Sequence, residues 1–315
     1  MDSSSEMQPT PSPAGPGQNA PFDPKTIFVG SGGIRAGWRL AIYICLVVAI
    51  AFPLFAALLQ IPAFRNALSL ANQGRMNTSA LIYSELVQAV AVLAGAVVMS
   101  LIEKRSWGSY GIPLNRAFGM RFWEGMLWGI VAISAMIGLI ASFHGYSFGA
   151  IALSHREIIS KGLLYLFGFL LVGIFEEFSF RGYTQFTLAT GVGFWWAAVI
   201  LSFAFGLVHL GNSGEGLIGA ASVVMIAMFF CLTLRRTGNL WFAIGLHCSF
   251  DWGETFLYSV PNSGNLAEGS LSHSTIQGAR WLTGGTVGPE GSVFCFLVVA
   301  LMFLIFHFLH PAKPE

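Results

Sequence analysis

Six ionisable residues lie within strongly apolar stretches of the chain, and their types could support peptide hydrolysis. In chain order they are Glu176, Glu177, Arg181, His209, His247 and Asp251. Charged groups inside a membrane-spanning segment are costly and usually mark function. A carboxylate held away from bulk water can deprotonate a water molecule that attacks a peptide carbonyl, and a histidine can orient that base or protonate the leaving amine. The six residues therefore define a candidate active site.

The spacing within each pattern predicts which side chains share a helical face. Glu177 and Arg181 are four residues apart, so they can pair, and we interpret them as a structural ion pair. Glu176 is rotated by about 100° from Glu177 and is free for another task. His247 and Asp251 are also four residues apart and share a face.

Helix lengths predict that the catalytic groups lie at similar depth. Glu176 lies roughly 21 Å before a turn predicted at residues 191–193, and His209 lies roughly 22 Å after it, at 1.5 Å per residue. His247 and Asp251 lie roughly 14 to 20 Å from the start of a later helix at Gly238. We therefore expect these four groups to converge in a cavity near the middle of the membrane.

The composition indicates a membrane protein that would supply those helices. Of 315 residues, 55% are hydrophobic and only 10% are charged, against about 25% charged in a typical soluble domain. We predict an all-α, polytopic bundle of about eight spans, because each requires about 20 mainly apolar residues. The spans are residues 38–61, 80–102, 123–143, 162–190, 194–210, 216–234, 238–256 and 293–310.

The domain organisation and orientation follow from the same pattern. Residues 1–36 are predicted to be a disordered tail rich in Ser, Pro and Gly, and residues 37–310 the transmembrane domain. With the N-terminus inside, the predicted cytoplasmic segments carry ten Lys and Arg residues and the outer segments five. This bias indicates that both termini are cytoplasmic. The net charge of +1 argues against nucleic acid as a partner.

Three motifs in this order resemble a known family. EExxxR reads Glu176-Glu177…Arg181, FxxxH reads Phe205…His209, and the third reads His247…Asp251. Residues 162–256 are thus similar to the catalytic core of the CAAX prenyl protease and bacteriocin-processing (CPBP, or Abi) family of intramembrane endopeptidases. The prenyl-protease branch of that family carries Asn at the position of Asp251.

The resemblance implies a role for each position. Glu176 would activate water with His209 as its partner, while His247 and Asp251 would hold water or stabilise the oxyanion. Glu177, Arg181 and Phe205 would support the site. We favour a mechanism without metal, because the chain contains no HExxH motif. If zinc were bound, its ligands would be Glu176, His209 and His247.

The expected activity is that of an intramembrane protease acting on a membrane protein or a lipidated peptide, and the expected location is the plasma membrane. Two other functions stay open: a catalytically silent scaffold or immunity protein, and a proton-coupled carrier, since buried Glu, Arg and His also line ion pathways. Two further acidic residues, Glu85 and Glu254, lie near the ends of predicted spans, and we expect them at the membrane interface.

Overall fold

The computed structural model describes residues 25–30, 33–71, 73–212 and 214–312. The chain divides after Arg35 into two units. In the first unit, Lys25–Phe28 (α1) forms one helical turn, and Val29–Gly30 (β1) pairs antiparallel with Gly33–Ile34 (β2). Residues 1–24, 31 and 32 of the predicted disordered tail lie outside the described residues.

The second unit is built mainly from helices, as the composition predicts. They are Ala36–Leu58 (α2), Pro62–Ala71 (α3), Thr78–Glu103 (α4), Met120–Ser142 (α5), His155–Arg181 (α6), Tyr183–Val192 (α7), Phe194–His209 (α8), Leu217–Thr237 (α9), Trp241–Trp252 (α10), Arg280–Thr283 (α11) and Val293–Leu309 (α12). A π-helical turn at Gly253–Leu257 extends α10. The all-α membrane-bundle class is confirmed.

Fewer helices than predicted are long and apolar enough to span a membrane. Among the described residues, five helical stretches are long and apolar enough to cross a membrane: Ala36–Leu58, Thr78–Glu103, Met120–Ser142, His155–Val192 and Leu217–Thr237. The other three predicted spans correspond to α8, to α12 and to α10, which are shorter helices. The prediction of about eight spans therefore overestimated the length of three helices, although each of them is present.

The fourth predicted span contains a break. Residues 162–190 were predicted as one membrane span, but α6 ends at Arg181 and α7 begins at Tyr183. At Gly182 an added Cβ would stand 2.4 Å from the carbonyl oxygen of Phe178. The turn between α7 and α8 lies at Gly193, whose φ of +83° favours glycine, as the prediction for residues 191–193 required.

The largest buried cluster lies where four helices meet. It is formed by side chains of α5, α9, α10 and α12, among them Ile133, Phe229, Phe242 and Phe306. Burying a side chain of this size contributes roughly 1.5–3 kcal/mol. The cluster therefore fixes α10, which carries the third motif, against its neighbours.

Short strand pairs fasten the long loop that follows α10. Arg75–Met76 (β3) pairs in parallel with Leu266–Ala267 (β5), and Tyr146–Ser147 (β4) pairs antiparallel with Thr275–Ile276 (β6). Each pair joins the loop of residues 257–292 to a segment next to α4 or α5. This loop is consequently an ordered part of the structure at one end of the bundle.

Candidate active site

Close helix packing sets the position of α10 against α5. An added Cβ at Gly125 would stand 2.1 Å from the carbonyl oxygen of Phe242, and one at Gly129 would stand 2.3 Å from that of Leu246. Both distances are far below van der Waals contact, so only glycine permits this approach. These two glycines, four residues apart on α5, therefore allow close helix packing within the chain.

A second glycine brings α10 close to α6. An added Cβ at Gly173 would stand 3.0 Å from the carbonyl oxygen of Ile244. Because Gly173 precedes Glu176 by one turn of α6 and Ile244 precedes His247 by one turn of α10, this contact places the two motifs side by side. The glycines thus determine how near the histidine of one helix comes to the carboxylates of the other.

His247 lies at the centre of three carboxyl groups. Its Nδ1 is 3.0 Å from Oε1 of Glu177, which is a hydrogen bond. Its Nε2 is 3.7 Å from Oε2 of Glu176 and 3.6 Å from Oδ2 of Asp251. The last two distances exceed a direct hydrogen bond, so Nε2 faces Glu176 and Asp251 without being bonded to either. The ring orientation is therefore fixed through Nδ1, and Nε2 is directed to the other two carboxyl groups.

The ion pair expected between Glu177 and Arg181 is present and fully buried. Nη1 of Arg181 is 3.3 Å from Oε1 of Glu177, and the two side chains are 1% and 0% exposed. The Arg181 guanidinium also lies 4.4 Å from the ring centroid of Phe205, in a cation–π contact. Glu177 thus has two partners, Arg181 and His247, whereas the sequence had indicated only the first.

His209 lies at the end of α8 and is held by its own helix. Its Nδ1 is 2.8 Å from the carbonyl oxygen of Phe205, so Nδ1 carries the proton and donates it. The two rings also pack edge to face at 4.4 Å. In the neutral imidazole, Nε2 is consequently an acceptor.

One cavity brings the predicted catalytic residues together. It has a volume of about 370 Å³ and is lined by Glu176, His209, His247 and Asp251 as well as by apolar side chains. Phe205 also lines it, while Glu177 and Arg181 lie behind its wall and support it. A cavity of this volume falls in the range of small-molecule and peptide-side-chain sites.

Three further acidic residues line the same cavity, and the sequence analysis did not place them there. Glu85 and Glu254 were expected at the membrane interface, which is wrong, because both face the cavity and Glu254 is only 1% exposed. Glu290 comes from the loop of residues 257–292. One signal could have found Glu254, which follows Asp251 by three residues and so shares its helical face.

The possible zinc ligands Glu176, His209 and His247 all line this cavity. Within the part of the chain that the structure describes, no group of three or more His, Cys, Asp or Glu side chains is arranged to hold a metal ion. The choice between a metal-free and a metal-dependent site stays a prediction.

The fold and the cavity define a class: a helical membrane protein with a buried carboxylate–histidine site. Residues 158–253 match the family model described as type II CAAX prenyl endopeptidase Rce1-like. The matched segment contains all three motifs, and the match confirms the resemblance to the CAAX protease family. It supports a CAAX-type protease in general. No curated protein matches the chain.

Proposed function

We propose that this protein is an intramembrane endopeptidase of the CAAX-protease type in which Glu176 activates water. The observation that supports the proposal best is the arrangement around His247, where Glu176 and Asp251 face Nε2 while Glu177 binds Nδ1. A hydrolase needs a base beside a site for water, and the cavity between these groups offers room for water and for a peptide.

The proposed reaction begins when Glu176 takes a proton from a water molecule in the cavity. The water oxygen forms a bond to the carbonyl carbon of the scissile peptide, and the carbonyl oxygen becomes an oxyanion. Nε2–H groups of His209 and His247, when protonated, can donate to that oxyanion or hold the water. The carbon–nitrogen bond then breaks, and the proton held by Glu176 passes to the leaving amine. The second proton of the water molecule stays on the carboxylic acid product until that acid ionises.

Glu177 and Asp251 act on His247 in this scheme. Glu177 accepts from Nδ1, which fixes the ring and stabilises the imidazolium when it forms, as the carboxylate does in a catalytic triad. Asp251 lies 3.6 Å from Nε2 and supports the positive charge from the other side. In this scheme an aspartate at position 251 stabilises the positive charge of His247, whereas an asparagine would offer an additional donor.

The substrate we propose is a membrane protein or a lipidated peptide, and the membrane is the plasma membrane with both termini on the cytoplasmic side. The cavity supports the proposed substrate class because its wall combines the polar groups with Phe169, Val172, Phe230 and Met302, which can take apolar substrate groups. The orientation is tested by placing a cysteine at the C-terminus of the protein and labelling it in intact cells. A membrane-impermeant reagent should fail to reach it.

The test of function is cleavage of a fluorogenic peptide library, with and without prenyl groups, by the protein in nanodiscs. Wild type should cleave, Glu176→Gln should not, and Glu268→Gln is the matched control, since Glu268 pairs with Arg75 outside the cavity. Activity that survives a chelator supports the metal-free mechanism, and its loss favours a metal site. If wild type cleaves nothing, proton flux in liposomes separates a carrier from a silent scaffold.

A further inference from the structure

The cavity is lined by more acidic residues than the proposed water-activating step uses. Five acidic residues line the cavity, and the described lining residues include no Lys or Arg. They are Glu85, Glu176, Asp251, Glu254 and Glu290. Glu176 and Asp251 face His247, but Glu254 and Glu290 have no cationic partner among the described residues. The question is what these two buried carboxyl groups bind.

The carboxyl groups of Glu254 and Glu290 meet beside Gly288. Oε2 of Glu290 and Oε1 of Glu254 lie 2.5 and 3.0 Å from the point where a Cβ at Gly288 would stand. The φ of Gly288 is +129°, which also excludes other residues there. Glycine at this position therefore leaves the space that both carboxyl oxygens face.

The loop holds Glu290 firmly in this place. Its Oε1 accepts from the backbone N–H of Ser263 at 2.5 Å, and its carbonyl oxygen accepts from the hydroxyl of Ser222 on α9 at 2.6 Å. Glu254 is fixed by the π-helical turn at Gly253–Leu257 and is 1% exposed. Both carboxyl groups are thus set by the fold before any substrate arrives.

The two carboxyl groups are hydrogen-bonded to each other, and neither Oε1 of Glu254 nor Oε2 of Glu290 has another donor among the described residues. Such a pair shares one proton, so one negative charge stays buried beside the cavity without a cation. Burial raises the pKa of Glu290. A ligand that brings several N–H donors and a positive charge would replace the shared proton and offset the cost of burying that charge.

We propose that Glu254 and Glu290 form a subsite for a basic side chain of the substrate, Lys or Arg. The inference rests on the proposed function, because the subsite lies in the same cavity as Glu176. Glu254 follows Asp251 by three residues on the same helical face, so the subsite is about one turn from the groups around His247. A basic residue a few positions from the scissile bond reaches it, and an acidic residue is repelled.

The test compares lipidated peptides that differ at one position, scanned through the four residues on each side of the cleaved bond. Each position carries Lys, norleucine or Glu in turn, and kcat/KM is measured for protein in nanodiscs. At one position wild type should prefer Lys to norleucine by roughly 10- to 100-fold, as expected for a hydrogen-bonded charged group. Glu254→Gln and Glu290→Gln should each reduce that preference to a few-fold, and Glu268→Gln should keep it.

The outcomes separate this inference from the proposed function. Cleavage by wild type without preference for Lys at any position overturns the subsite and leaves the protease standing. An equal preference in wild type and in both variants also overturns it. If wild type cleaves no peptide, the protease proposal fails, and binding of the Lys and norleucine peptides to wild type and Glu254→Gln then decides the subsite by itself. In a Cys45→Ser background, retained protection of the buried cysteines from thiol labelling verifies that each variant is folded.

Discussion

Substitutions in the buried pair of Glu177 and Arg181 can separate an effect on stability from an effect on catalysis. Glu177→Gln removes the only salt-bridge partner found for Arg181 among the described residues. The Arg181 side chain is 1% exposed, and its Nε and Nη2 already lack hydrogen-bond partners. Breaking a buried pair from one side costs about 3–5 kcal/mol, because it leaves an uncompensated charge. At about 2 °C per kcal/mol, the melting temperature should fall by about 6–10 °C.

The double variant Glu177→Gln/Arg181→Met should regain most of that stability. A buried ion pair replaced by uncharged groups of similar volume is often neutral, so the melting temperature should return close to that of wild type. Cleavage should stay about 10²- to 10⁴-fold below wild type, because the amide at residue 177 cannot stabilise a charged His247. The single variant should thus lose both stability and activity, and the double variant should recover only stability.

The buried cysteines provide the assay. Cys231, Cys248 and Cys295 are buried thiols, and Cys45 is exposed, so Cys45→Ser gives a background in which a thiol-reactive dye reports unfolding. Melting curves and cleavage rates are then measured on the same nanodisc samples. A double variant as unstable as Glu177→Gln would refute the unpaired-charge argument. A double variant that cleaves like wild type would refute the role of Glu177 at His247.

Three further predictions test packing, an ion-pair network and the second histidine. Gly129→Val should lower the melting temperature and the cleavage rate together, since overpacking costs about 1–3 kcal/mol, while Gly138→Val in the same helix has open space and should do neither. Glu103→Gln loses a bidentate contact from Arg39 at 2.9 and 2.6 Å and should destabilise the protein by about 2–3 kcal/mol in thermal unfolding. The position at which the substrate is cleaved should not change. His209→Gln should reduce kcat by about 10²-fold or more with little change in melting temperature. An unaltered kcat would remove His209 from the mechanism.

Local rules explain why much of the site could be predicted. Side chains four residues apart share a helical face. This rule predicted the ion pair between Glu177 and Arg181 and the position of His247 beside Asp251. Ionisable groups in apolar helices gather because each avoids lipid, which is why three separate motifs lead to one cavity. The turn at Gly193 could be predicted because glycines at residues 191 and 193 favour a turn.

The rest of the site depends on contacts that no local pattern contains. The loop of residues 257–292 has no periodicity, so nothing indicated that Glu290 would line the cavity or that two-residue strands would fasten the loop. Glu85 and Glu254 were misplaced because span ends were taken as membrane interfaces, although the cavity reaches them. The break at Gly182 was missed because a single glycine can also lie within a helix, so its presence alone does not predict a break.

The most direct test of the account is the ratio of kcat/KM for Glu176→Gln to that of wild type on one cleaved peptide. Both proteins are measured in the same nanodiscs, after the dye assay has shown equal melting temperatures. We expect a loss of at least about 10²-fold, since the amide cannot take a proton from water. A Glu176→Gln protein that is folded and retains the activity of wild type would contradict the claim that Glu176 activates the water.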